Sequence, residues 1–92
     1  MPRVFNVDQW VVYFWSNEGR PLEPVHVHVA LKRPTEVATK IWITRAGGCV
    51  LSDNSSNIPP GDLRGIMEIV SARHMEVVGK WFAYFHEAEY YC

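Results

Sequence analysis

The chain has only two cysteines, Cys49 and Cys92, in 92 residues. Neither belongs to a Cys pair with zinc-site spacing, and no disulfide between them is expected, since Cys92 is terminal. No apolar run approaches the roughly 18 residues of a membrane span. Met1-Pro2-Arg3 runs straight into Val4-Phe5 with no leader pattern, so a cytoplasmic protein with free thiols and no membrane association is expected. Net charge is −1, which lacks the dense basic signature of a dedicated nucleic-acid binder. There is no nucleophile elbow, no phosphate-binding glycine loop and no paired-carboxylate motif. Internal repeats and low-complexity tracts are also missing.

What is present is apolar and aromatic. Hydrophobic residues make up 48% of the chain, with four each of Trp, Tyr and Phe. That suffices for the core of one domain spanning residues 1–92. It also exceeds what a small monomer easily hides, so part of the aromatic set is expected at an interface. The charges are split. Residues 1–45 hold six Lys and Arg against four acids, and residues 46–92 hold three against six. Cys49, beside Val50 and Leu51, reads as a small core residue rather than a nucleophile.

Along the chain, Val4–Val7 and Trp10–Trp15 flank Asp8-Gln9 and read as a hairpin. Ser16–Pro21 is rich in turn formers and reads as a loop. Strands follow at Val25–Leu31 and Glu36–Ile43, separated by the turn Lys32-Arg33-Pro34-Thr35. Gly47-Gly48 marks another break before a short edge strand at Cys49–Leu51. Ser52–Asn57 is the most polar and least structured stretch. Pro59-Pro60 opens a helix, with Asp62 complementing its dipole. Apolar residues then fall at helical spacing: Leu63, Ile66, Met67, Val70, Val77, Val78, Trp81, Phe82 and Phe85. The stripe thins from Ser71 to His74, where a kink or a second helix is expected. The fold class is therefore α+β: a small, mostly antiparallel sheet of four to five strands in residues 1–51, one face covered by one or two C-terminal helices in 58–89. An exposed edge at Val4–Val7 or Cys49–Leu51 could pair with a partner or with a second copy in a homodimer.

The chemistry centres on Glu23-Pro24-Val25-His26-Val27-His28-Val29. Pro21 and Pro24 hold their preceding residues extended. Valine and histidine then alternate with the period of a strand, placing Val25, Val27 and Val29 on one face and His26 and His28 on the other. If the helices take the valine face, the histidine face is left open. Three uses compete. The histidines could be an acid–base pair for metal-independent RNA cleavage, with Lys40 and Tyr13 as further catalytic candidates. Lys32, Arg33 and Trp42 are then the substrate-binding candidates, giving cations for phosphate and a ring for stacking bases. His-x-His could instead be half a metal site completed by His74, His86 or an acid. Finally, the histidines could serve only to hydrogen-bond a protein partner. No cofactor is expected.

Three stretches also carry a resemblance: Met1-Pro2-Arg3-Val4-Phe5, Tyr13-Phe14-Trp15-Ser16-Asn17-Glu18-Gly19, and Glu23 to Val29. With the helical series Leu63, Ile66, Val70, Trp81, Tyr84 and Phe85, they resemble the bacterial family known as domain of unknown function 4160. The likeness spans most of the chain, apart from Ile41–Thr44 and the segment 47–57. It implies a small cytosolic protein encoded beside a second small protein, of the domain of unknown function 2442 family, in what looks like a toxin–antitoxin pair. The chain would then be a growth-inhibiting, toxin-like component held inactive by an antitoxin-like partner. Pro24, His26 and His28 are the residues that match the family's motif.

Overall fold

The computed structural model describes residues 2–17 and 21–92. Five strands form one antiparallel sheet in the order of the sequence: β1 (Arg3–Val7), β2 (Trp10–Tyr13), β3 (His26–Leu31), β4 (Thr39–Ile43) and β5 (Cys49–Asp53). Two helices follow, α1 (Pro60–Ala72) and α2 (His74–Phe85). This is the α+β architecture expected from the sequence. Every connection in the sheet joins neighbouring strands, so the topology needs no crossover. The hairpin β1–β2 turns at Asp8, whose φ of 52° lies in the left-handed region that Asp tolerates better than most residues.

The alternation of β3 decides which side of the sheet is covered. Val25, Val27 and Val29 are fully buried, in one cluster with Val12, Phe14, Ile41 and Ile43 of the sheet and Ile66, Val70, Val77 and Trp81 of the helices. Each such side chain contributes about 1.5–3 kcal/mol on burial. The helices thus take the valine face. The opposite face is not bare: Val11, Tyr13, Ala30 and Ala38 form a second buried cluster, with Trp15 packed against it.

Helix α1 begins with Pro60 in its first turn and Asp62 beside it, where a missing N–H and a negative charge are both favourable. The break anticipated between Ser71 and His74 falls at Arg73 (φ −108°), whose N–H bonds back to the Ile69 carbonyl. The Arg73 guanidinium lies 4.0 Å above the Phe5 ring and forms a forked pair with Glu76. Helix α2 ends at His86, left-handed at φ 65° with its N–H on Phe82 O.

Several boundaries differ from the sequence expectation. The fourth strand starts at Thr39 rather than Glu36, because Thr35 is held by Tyr13 and Val37 stands 73% exposed in the approach. Helix ends at Phe85 rather than Glu89. Beyond it the chain is held alongside the sheet, with Val25 N–H on Glu89 O and Arg45 N–H on Cys92 O. Phe82 belongs to the helical stripe by spacing, yet is 53% exposed and faces away from the core. Glu18, Gly19 and Arg20, in the loop expected over Ser16–Pro21, lie outside the described residues, as does Met1. No described helix is long and apolar enough to cross a membrane.

Candidate functional site

The cross-strand register builds a row on the sheet face opposite the helices. Tyr13 of β2 stands beside His28 of β3, which stands beside Lys40 of β4. One step along, His26 pairs with Trp42. Directly opposed residues in an antiparallel pair have their Cβ atoms about 5 Å apart, so the four catalytic candidates and Trp42 converge in one patch.

Within that patch the two histidines differ. His26 is fully buried, which corrects the expectation that its face is left open. Its ring sits edge-on to His28 (centroids 5.0 Å apart), Trp42 (5.6 Å) and Trp81 (5.2 Å). The cause is at the start of β3, where the strand extends past its pairing with β2 and α2 brings Trp81 against the imidazole. Its Nδ1 lies 2.8 Å from Pro24 O. A carbonyl only accepts, so Nδ1 carries a proton and donates it to Pro24 O. His28 is only partly buried and lies 5.6 Å from the Tyr13 ring.

Lys40 is the cation of the patch. Its Nζ is 3.0 Å from Glu23 Oε1 and 4.3 Å from the Trp42 ring centroid. The carboxylate orients the ammonium, and the indole face adds a cation–π attraction. Tyr91 stacks on Trp42 with centroids 4.9 Å apart and planes 8° from parallel. Tyr13 plays a structural part, since its hydroxyl donates to Thr35 O at 2.7 Å and accepts from Thr35 N–H at 3.1 Å. Beside it Trp15 sits edge-on at 5.3 Å and, with Asn17 and Glu36, lines a cleft of about 290 Å³.

Lys32 and Arg33 do not join this group. They are exposed in the turn after β3, and four residues of strand place Lys32 roughly 13 Å along from His28. Lys32 adopts φ 66° and gives its N–H to Gln9 O. His74 packs against Gly47 with its Nδ1 on Ser71 O, and His86 is the exposed cap of α2. Among the described residues no three His, Cys, Asp or Glu side chains converge as a metal site would require. Cys49 and Cys92 are free thiols.

Sequence reasoning missed four partners of the patch. Trp81 and Tyr91 come from the helical half and its extension, and nothing in their local pattern aims them at the histidines. Glu23 and the Pro24 carbonyl stand directly before the motif, and Glu23 beside a strand bearing Lys40 was the one available signal. Altogether the patch offers one half-buried imidazole, one oriented ammonium and a stacked aromatic pair, with a buried imidazole behind them.

The family model described as Domain of unknown function (DUF4160) matches residues 10–82. That span covers β2 through most of α2, with His26, His28, Lys40 and Trp42. No curated protein and no solved structure matches the chain.

Proposed function

We propose that this chain, which belongs to the family of the domain of unknown function 4160, is the toxin-like component of a bacterial toxin–antitoxin pair. It acts on RNA from the sheet face carrying His28, Lys40 and Trp42. The observation that supports this reading is the register itself, which sets a half-buried imidazole beside an oriented ammonium and an aromatic ring. An imidazole nitrogen with a free lone pair can take a proton from a ribose 2′-hydroxyl. The 2′-oxygen then attacks phosphorus, the 5′-oxygen leaves and is protonated from solvent, and Lys40 steadies the phosphate charge. Trp42 supplies the kind of surface on which bases stack. His26, buried behind His28, acts as a positioning residue.

The test is growth after induced expression. Wild type should slow growth, and His28→Ala should relieve the effect while circular dichroism shows an unchanged fold. His26→Ala is the poorer probe, because it empties a fully buried site. Full toxicity of a folded His28→Ala variant would remove the catalytic assignment.

A second reading is a non-enzymatic module that binds a neighbour-encoded antitoxin-like protein. It is favoured by the apolar surface of α2, where Met75 is 71% and Phe82 53% exposed. That reading expects a tight complex and no turnover of RNA.

A further inference from the structure

Two edges bound the sheet, and they are treated differently. At β1, Lys80 Nζ donates to Arg3 O at 2.9 Å, and Arg3 and Arg73 bring charge to that side. These are the usual guards against unwanted strand pairing. Strand β5 contains no Lys, Arg or Pro, and among the described residues it pairs only with β4. Val50 and Leu51 are 41% and 37% exposed. The direction of its unpaired groups can be read from its neighbours. Thr44 N–H bonds to Gly48 O, and Ile43 N–H turns away to Val25 O. By antiparallel alternation the N–H and C=O of Cys49 and Leu51 therefore point outward from the sheet.

Alongside this edge runs a groove of about 640 Å³ between β5 and α1. Cys49, Leu63 and Met67 form its apolar lining, and Arg64 and Glu68 stand on its rim. We infer that β5 is the dimerisation edge of this protein, and that its occupant is the β5 strand of a second copy, paired antiparallel about Leu51.

Charge selects a second copy over an unrelated chain. A two-fold interface must be complementary to itself. Cys49 Sγ lies against Met67 O (3.4 Å) and Ser71 Oγ (3.2 Å). Leu51, two residues nearer the loop that leads into α1, is thus level with the turn from Leu63 to Met67. A two-fold axis there sets the two α1 helices antiparallel, with Arg64 of each copy opposite Glu68 of the other. The same axis brings the Asp53 end of one β5 towards the Arg45 end of the next. The two apolar grooves meet and close over each other, and the two sheets become one continuous sheet. This inference does not rest on the RNA reading.

Sedimentation equilibrium of the whole chain across the micromolar range tests it. Wild type should sediment as a dimer. Leu51→Pro, which removes an outward N–H and no bond within the chain, should give a folded monomer. Arg64→Glu and Glu68→Arg should each weaken the dimer roughly tenfold or more, since each change replaces two attractions by two repulsions. The double swap Arg64→Glu with Glu68→Arg should restore it, which separates a lost interface from a damaged fold. A wild-type monomer throughout would overturn the inference. So would a dimer indifferent to Leu51→Pro and to the single charge changes, or single-variant losses that the double swap fails to repair.

Discussion

Asn54 is the residue whose loss should be felt most for its size. It sits between the last strand and the first helix and makes three side-chain hydrogen bonds. Its Oδ1 accepts from Thr39 Oγ1 at 2.6 Å and from Ile58 N–H at 3.0 Å, and its Nδ2 donates to Ile58 O at 3.0 Å. Ser56 completes the link: its Oγ accepts from Thr39 N–H and donates to Val29 O, while its own N–H donates to Thr39 Oγ1. Thr39 is fully buried and Ile58 nearly so, so water does not readily replace what Asn54 supplies. At about 1 kcal/mol per net hydrogen bond, with a surcharge for groups left unpaired, Asn54→Ala should cost about 2–4 kcal/mol. For a domain of this size that lowers Tm by roughly 10–25 °C. Urea unfolding followed by tryptophan fluorescence gives the number directly. Asn54→Asp keeps both acceptor bonds but sets a carboxylate oxygen against Ile58 O in place of the donor, so it should also destabilise. Thr39→Val combined with Asn54→Ala should be less than additive, because the two share a bond. A loss below about 0.5 kcal/mol for Asn54→Ala would refute the reasoning and leave the loop as ordinary solvated chain.

Three further outcomes follow from particular contacts. Tyr13→Phe removes a hydroxyl bonded twice to Thr35, and should cost about 1–2 kcal/mol in urea unfolding while leaving toxicity intact; loss of toxicity without loss of stability would return Tyr13 to the catalytic candidates. Gly47→Ala should destabilise, because φ is +91° and the new Cβ would lie 2.8 Å from His74 Nε2, whereas Gly65→Ala and Gly79→Ala, with open space around a Cβ, should each stabilise by about 0.4–1 kcal/mol; thermal melts of the three variants decide it. Hydrogen bonding to Arg73 holds the Glu76 carboxyl below its ordinary range. A depressed folded-state pKa gives stability that is present above the unfolded value and lost as pH falls through the folded one. The Glu76 titration followed by NMR should therefore move up in Arg73→Ala, and in high salt.

Much of the fold follows from local pattern. The two-residue alternation of β3, the helical spacing from Leu63 to Phe85 and the turn residues at Asp8-Gln9, Gly47-Gly48 and Pro59-Pro60 each act over a few residues. They therefore identify four to five strands, a helical half and the two faces into which the side chains of β3 divide. The convergence of Tyr13, His28 and Lys40 also follows once the strands are taken in sequence order, because each side chain's face is set by the pleat.

Other features depend on groups far apart in the chain. His26 and His28 are alike by alternation, yet Trp81, more than fifty residues on, buries one and leaves the other half open. Within Ser52–Asn57, Asn54 and Ser56 turn inward to bond Thr39, Val29 and Ile58, while Ser52, Asp53, Ser55 and Asn57 face solvent. Phe82 has the spacing of a core residue, but the sheet offers it no surface to meet. The guarding of β1 by Lys80 and the open edge of β5 likewise arise only when the helices pack. Periodicity assigns a side chain to a face, and tertiary packing alone determines what covers that face.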